Sequence, residues 1–351
     1  MKKRPYIISG PCSAETKEQL LKTAKQLVKY GSIDCLRAGI WKPRTRPNFF
    51  EGIGETGLQW LKETGDAVNL PVTTEVANTR HVELALKNNI DILWIGARTV
   101  ANPFSVQEIA NALKGIDIPV MVKNPVNPDL QLWVGAIERI FQAGINNIKA
   151  IHRGFSSFEK SAYRNTPKWE IPIELMRIFP EIPIICDPSH IGGNRSMIKG
   201  IAQKALDLEM DGLMIESHVN PDEAWSDSKQ QITPKKLHQI LSKLVVREPE
   251  VNSKTLKNKL DILRKKIDGL DEEIINLLSN RMNTVEEIGN HKKENEITIL
   301  QADRWQKIIN DRNNKAREAG VSEEFIQRIL KVIHKESINI QTNILNRKKN
   351  E

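Results

Sequence analysis

Eight short apolar runs lie in the first 220 residues, and each leads to a polar or charged residue suited to binding an anion or a metal. YIIS (6–9) leads to Cys12, CL (35–36) to Arg37, VTT (72–74) to Glu75, and ILWIGA (92–97) to Arg98. VMV (120–122) leads to Lys123, IKAI (148–151) to His152 and Arg153, IIC (184–186) to Asp187 and His190, and GLMI (212–215) to Glu216. The stretches between them are long enough for a helix and two loops. Eight such units predict an α/β fold, a (β/α)8 TIM barrel with its chemistry at the carboxyl ends of the strands.

The barrel does not use the whole chain. All 17 Pro lie before residue 250, and only three Gly, at 269, 289 and 320, fall in the last hundred residues. That tail is rich in Leu, Ile, Lys, Glu and Asn, which predicts an all-helical domain. The polar stretch VVREPEVNSKT (245–255) holds the last Pro and reads as the connection. The expected layout is a barrel over 1–245, a linker over 246–255 and a helical domain over 256–351.

Three scattered Cys exclude a disulfide framework. Cys35 and Cys186 fall inside expected strands, where a reduced thiol packs as a small apolar group. The apolar run of the N-terminus is too short for a signal peptide, and no run of eighteen apolar residues occurs, so a cytoplasmic enzyme without membrane contact is expected. The net charge of +8 comes from basic residues interleaved with acidic ones, and aromatics are only 5% of the chain. That pattern argues against nucleic acid and for small phosphorylated or carboxylated substrates.

Cys12, His190, Glu216 and Asp227 follow strands one, seven and eight, which are neighbours in a closed barrel. A thiol, an imidazole and two carboxylates suit one divalent metal such as Mn, Fe, Co or Zn. Arg37, Lys42, Arg44, Arg98, Lys123 and Arg153 would share one barrel mouth. A single surface cation is ordinarily just solvated. Four of these six, however, cap apolar strands, and burying so much positive charge without a partner is very costly. An anion with several oxygens resolves the difficulty. The G-x-G-x-x-G within EGIGETG (51–57) has no apolar strand before it and reads as the loop opening the second barrel helix.

In the tail, apolar residues at 256, 260, 263, 267, 270, 274 and 277 form a heptad stripe on one long helix. Arg281 then takes an apolar position, followed by Val285, Ile288 and Lys292. Arg281 and Lys292 are about three turns apart and share a face, which suggests a buried anionic ligand. Arg264 lies about 40 Å from Lys292 along such a helix, so it could join the same pocket only from an antiparallel partner chain. A second helix is expected over about 302–318, and Ser322 caps a third that carries Ser337 and Gln341.

The motifs GPCSAE (10–15), LRAGIWKPRTRP (36–47), TE (74–75), IGAR (95–98), RNT (164–166), DPSH (187–190) and GLMIESH with SD (212–218, 226–227) fall at successive strand ends. With them the barrel resembles 3-deoxy-D-arabino-heptulosonate 7-phosphate (DAHP) synthase. The resemblance implies condensation of phosphoenolpyruvate with erythrose 4-phosphate, with Cys12, His190, Glu216 and Asp227 holding the metal. It assigns Arg37, Lys42, Arg98, Lys123 and Arg153 to phosphoenolpyruvate, with Lys42 catalytic, and Arg44 and Thr45 to the second phosphate. KPRT (42–45) argues against a synthase that takes another sugar phosphate. The chain departs from the pattern at KNP (123–125), where many relatives have Lys-Arg-Gly, and at HRGF (152–155), where Glu usually precedes Arg. It also starts almost at the first strand, so the N-terminal regulatory extension many relatives carry is not expected here.

The tail, through LRKKIDGLDEEIINLLSNRM (263–282), Lys292, Arg304 and SINIQ (337–341), resembles the all-helical chorismate mutase. The resemblance implies a homodimer or higher oligomer in which Arg281 and the partner chain's copy of Arg264 bind the carboxylates of chorismate. Lys292 and Gln341 would contact its ether oxygen, with Arg304 in the same pocket. Arg281, Lys292 and Gln341 are then the catalytic set, and feedback of chorismate or prephenate on the barrel is a further expectation. Trp305 and Gln301 stand where the family has acids. A tail that only dimerises or senses is the alternative.

Overall fold

A computed structural model describes residues 4–31, 33–42, 50–158, 160–248 and 253–346. The chain forms two compact units, Met1–Pro249 and Glu250–Glu351. The first unit contains β1 (Tyr6–Gly10), β2 (Cys35–Arg37), β3 (Val72–Val76), β4 (Ile92–Ile95), β5 (Val120–Lys123), β6 (Ile148–His152), β7 (Ile184–Cys186) and β8 (Gly212–Glu216). Its helices are α1 (Lys17–Tyr30), α2 (Glu55–Val68), α3 (Thr79–Lys87), α4 (Ala97–Val100), α5 (Pro103–Leu113), α6 (Leu130–Gln142), α7 (Glu170–Ile178), α8 (Pro188–Gly192), α9 (Ile198–Asp207) and α10 (Pro234–Leu241). The second unit contains α11 (Lys254–Glu294), α12 (Ala302–Glu318) and α13 (Glu323–Asn346).

The strands pair in parallel in chain order, and β8 closes on β1 from Tyr6↔Gly212 to Gly10↔Glu216. This is the expected TIM barrel. Ile8, Cys35, Ile92, Trp94, Met121, Ile151, Ile185 and Met214 form one cluster that fills its interior. Alternate strand residues such as Ile7, Leu36, Leu93, Val122 and Leu213 pack in the separate cluster under the helices. Because side chains alternate along a strand, two residues beyond each interior position the same inward face continues at the carboxyl rim. From Cys35, Met121, Ile151, Ile185 and Met214 those next positions are Arg37, Lys123, Arg153, Asp187 and Glu216. The period that builds the apolar interior therefore delivers charge to its mouth.

Side-chain oxygens of Thr16, Asn78, Asn102, Asp129, Asp187 and Thr233 accept backbone N–H groups at the starts of α1, α3, α5, α6, α8 and α10. These caps satisfy donors a helix leaves unpaired and fix where each loop ends. The GIGETG segment runs into α2 with Gly54 at its N-terminus, as expected of a helix-opening loop. Gly10, at φ +152°, is where β1 meets β2 most closely: a side chain there would lie 2.0 Å from the Arg37 carbonyl. Only glycine allows the chain to turn there toward Cys12.

In the second unit α11 opens at Lys254, inside the span expected to be linker, because Ser253 Oγ accepts the Leu256 N–H at 3.4 Å. One continuous helix carries Arg264, Arg281 and Lys292. Ser322 Oγ caps α13 through the Phe325 N–H at 3.2 Å. α13 packs on the C-terminal part of α11, burying Val285, Gly289, Ser337, Gln341 and Ile344. A side chain at Gly289 would meet Ile344 Cδ1 at 2.8 Å, so glycine sets how closely these helices approach. The N-terminal stripe is uncovered in the single chain: Leu256, Leu263, Ile267, Leu270, Ile274 and Leu277 are 48–68% exposed. Among the described residues no helix is long and apolar enough to cross a membrane.

Candidate active sites

At the barrel mouth Arg37 from β2 is almost fully buried. Its Nη2 donates to the Cys12 carbonyl at 3.2 Å, and its Nη1 lies 3.2 Å from Glu216 Oε1. That ion pair lacks hydrogen-bond geometry, so Arg37 Nη1 and Glu216 Oε1 are buried without a hydrogen bond, and so is Arg37 Nε. Lys123 from β5 is also buried and pairs with Asp187 Oδ2 at 3.1 Å. Burial would push the Asp187 carboxyl up, but His190 and Lys123 outweigh it and hold it well below the usual range. Two buried cations thus sit directly against two buried carboxylates.

Arg153, just beyond β6, is aimed by two asparagines. Its N–H donates to Asn124 Oδ1 at 2.7 Å and its Nη1 to Asn165 Oδ1 at 2.7 Å. Asn124 Nδ2 in turn donates to the Gly154 carbonyl, and Asn165 Nδ2 to the His190 carbonyl. Burial pulls the Arg153 guanidinium down to about 10 despite Asp187, with Arg164 and Arg98 acting in the same direction. The guanidinium remains charged at neutral pH, in a field of like charges that an anion would relieve. Arg98 is exposed at the start of α4. Arg44 and Thr45 lie outside the described residues.

The four expected metal ligands meet in pairs rather than as one cluster. Cys12 Sγ lies 3.3 Å from Asp227 Oδ2, and His190 Nε2 lies 3.8 Å from Glu216 Oε1. Among the described residues no three His, Cys, Asp or Glu side chains form a ready coordination shell. The ammonium of Lys42 donates to Cys12 Sγ at 2.9 Å; against burial, His190 and Arg37 lower the pKa of Glu216 and Arg164 and His190 that of Asp227, with Lys42 adding to both. Burial, then Glu216, pushes the Cys12 thiol up to about 12, so it is protonated unless a cation stabilises the thiolate. Asp187 Oδ2 lies 2.7 Å from His190 Nδ1, which orients the ring and leaves Nε2 toward Glu216. Thiol, imidazole and two carboxylates, with one buried carboxylate oxygen lacking a hydrogen bond, fit a mid-row divalent metal.

In the helical unit Arg281 crosses from α11 to α13, where its Nη1 donates to Ser337 Oγ at 2.7 Å. Gln341, one turn further on, is buried, and its Oε1 has no hydrogen bond. Lys292 is half-buried with Nζ on the Ile299 carbonyl at 2.6 Å. Burial lowers the pKa values of both Arg281 and Lys292. Two expected members are not brought to this face by the single chain. Arg264 pairs with Asp261 at 3.2 Å in solvent because the straight helix carries it away from Lys292, and Arg304 is exposed. Trp305 stacks on His334 with ring centroids 3.8 Å apart.

Residues 2–252 match the DAHP synthetase I family. The chain belongs to that family. Residues 263–342 match chorismate mutase type II. A phospho-2-dehydro-3-deoxyheptonate aldolase of Thermotoga maritima is 33% identical over 226 residues, covering 64% of this chain and 64% of the relative. A 2-dehydro-3-deoxyphosphooctonate aldolase of Vesicomyosocius okutanii is 26% identical, covering 68% of this chain and 89% of the relative. The crystal structure of the Thermotoga maritima DAHP synthase superposes with a TM-score of 0.59 at 31% identity, covering 68% of this chain and 67% of that one.

Within this DAHP synthetase I barrel several contacts escape the strand-end rule. Arg164 pairs with Asp227 at 3.0 Å, and Gln230 Nε2 donates to Glu216 Oε2 at 2.7 Å. Asn124 and Asn165 aim Arg153, and Asn124 is the middle residue of the unusual KNP. His334, seven residues before Gln341, shares the face of α13 that carries Ser337, a helical spacing visible in the sequence.

Proposed function

We propose that this member of the DAHP synthetase I family joins two activities. The barrel condenses phosphoenolpyruvate with D-erythrose 4-phosphate to give DAHP and phosphate, and the helical unit rearranges chorismate to prephenate. The observation that carries the first activity is Arg37: a buried guanidinium whose Nε and Nη1 make no hydrogen bond, beside Lys123 and Arg153, calls for a multiply charged oxyanion. Arg37, Lys123, Arg153 and Arg98 hold the phosphate and carboxylate of phosphoenolpyruvate, and Arg44 and Thr45 receive the second phosphate. So placed, carbon 3 of phosphoenolpyruvate bonds to the aldehyde carbon, water adds at carbon 2, and the carbon 2–oxygen bond to phosphate breaks. Lys42 donates a hydrogen bond where negative charge develops. A divalent metal held by Cys12, His190, Glu216 and Asp227 would supply Lewis acidity toward the aldehyde oxygen.

The rearrangement of chorismate needs fixed donors rather than a nucleophile. Arg281 binds a carboxylate, while Lys292 and Gln341 face the ether oxygen, an assignment the buried, unpaired Gln341 amide supports. The exposed stripe on α11 fits a second copy of this chain, packed antiparallel so that the partner chain's copy of Arg264 reaches the pocket. Three free buried thiols fit a reducing compartment such as the cytoplasm. A tail that binds without catalysing is favoured by one observation, the Trp305–His334 stack that adds bulk beside Arg281. Feedback of prephenate on the barrel would require the condensation rate of the full chain to fall when prephenate is added.

The direct test is product analysis with the full chain. DAHP formed from phosphoenolpyruvate and erythrose 4-phosphate, in preference to longer sugar phosphates, together with chorismate loss, supports both assignments. Condensation of a longer sugar phosphate at a higher rate would overturn the first, and unchanged chorismate the second.

A further inference from the structure

Trp94 stands inside the barrel directly beneath the cations of the mouth. It is almost fully buried in the interior cluster, level with Glu75 on β3 and Met121 on β5. The Arg37 guanidinium carbon lies 4.9 Å from its ring centroid and the Lys123 ammonium 5.6 Å. Both are within cation–π range of one indole. The indole itself is pinned, since its Nε1 donates to Glu75 Oε2 at 2.8 Å.

This arrangement addresses a conflict in any buried oxyanion site. Two desolvated cations need stabilising before the ligand arrives, yet each carboxylate added for that purpose repels the ligand. Glu216 and Asp187 already partner Arg37 and Lys123 at 3.2 and 3.1 Å, and further acid there would quench the site. An aromatic face attracts positive charge while carrying no net charge of its own. The hydrogen bond from Nε1 also holds the Glu75 carboxylate at the edge of the indole rather than on a cation.

We propose that Trp94 is a positioning residue that holds Arg37 and Lys123 available for the phosphate or carboxylate of the phosphorylated substrate, and so sets affinity rather than turnover. This rests on the reading that the barrel mouth binds phosphoenolpyruvate. Two variant sets test it in the full chain, by steady-state kinetics and by calorimetric binding of phosphoenolpyruvate. Trp94→Leu removes the ring, and is expected to raise the KM for phosphoenolpyruvate about thirtyfold with kcat within about twofold. Trp94→Phe keeps a π face and loses the Nε1 hydrogen bond, so most of the affinity should return. Site-specific mono-, di- and trifluorotryptophan at 94 keep the shape and drain the ring's negative face, so they read the effect even if the leucine variant fails to fold. KM should then climb with each fluorine.

A flat fluorine series overturns the proposal, as does a folded Trp94→Leu enzyme with unchanged KM. A fall in kcat at constant KM would also overturn it. If the unsubstituted chain neither binds nor turns over phosphoenolpyruvate, the underlying reading fails instead, which separates the two outcomes.

Discussion

The barrel mouth and the helical unit both gather cations, but only the barrel finishes the task within one chain. Arg37 and Lys123 meet Glu216, Asp187 and the Trp94 ring, all brought together by closing eight strands on themselves. Among the described residues Arg281 hydrogen-bonds a hydroxyl and Lys292 a carbonyl, and the helix that carries them exposes an apolar stripe for about six turns before them. A closed sheet supplies its own neighbours, whereas a long helix presents faces that another body must cover. The barrel site is therefore expected to act as a single-chain property and the helical site as a property of the assembly.

The largest effects should separate the two sites cleanly. Lys42→Met removes the ammonium beside Cys12 and should lower condensation by about 10³-fold while chorismate turnover stays within twofold. Arg281→Ala should do the reverse, costing about 10²-fold in chorismate turnover at unchanged condensation. Rates of both reactions on both variants check this, and a matching fall of the two activities would break the comparison.

A smaller effect sharpens the claim about assembly. Leu270→Glu places charge in the middle of the uncovered stripe, so sedimentation should show dissociation and chorismate turnover should drop about tenfold while condensation persists. A variant that dissociates with full turnover would mean the site is complete in one chain.

The smallest effect concerns the barrel alone. His152 is buried among Trp133, Phe155 and Trp169, and burial, reinforced by Arg153, lowers its pKa from 6.5 to about 3. The unfolded chain takes up a proton below 6.5 while the folded one does not until about 3, so stability is present above that window and lost as pH falls through it. His152→Phe should recover about 2 kcal/mol of the loss between pH 7 and 5 in denaturant unfolding of the barrel. An unchanged pH slope would place the acid sensitivity elsewhere.

Much of this was legible in the chain because strand geometry is periodic. A charge at the end of an apolar run, two residues beyond an interior position, specifies an inward-facing charged group at the rim, and this located Arg37, Lys123, Arg153 and Glu216. The heptad spacing likewise placed Arg281 and Lys292 on one face, and it left the stripe before them without a partner in the same chain. The missing parts depend on contacts between distant segments that no local pattern encodes. Lys42 on Cys12 is a rotamer choice across a loop, and Arg164 reaches Asp227 over 63 residues. Trp94 could have been found by extending the inward period from Ile92, since an aromatic beneath a ring of cations is itself a signal. The second-unit boundary moved for a local reason, the Ser253 cap, which a composition shift does not resolve.

The most direct measurement is both reactions assayed on one preparation of the full chain, before and after chelation with EDTA and then with divalent metal restored. Two sites of unlike chemistry predict that chelation abolishes condensation, spares chorismate turnover, and is reversed by metal. Condensation that survives exhaustive chelation, or chorismate turnover that falls with it, would contradict that separation.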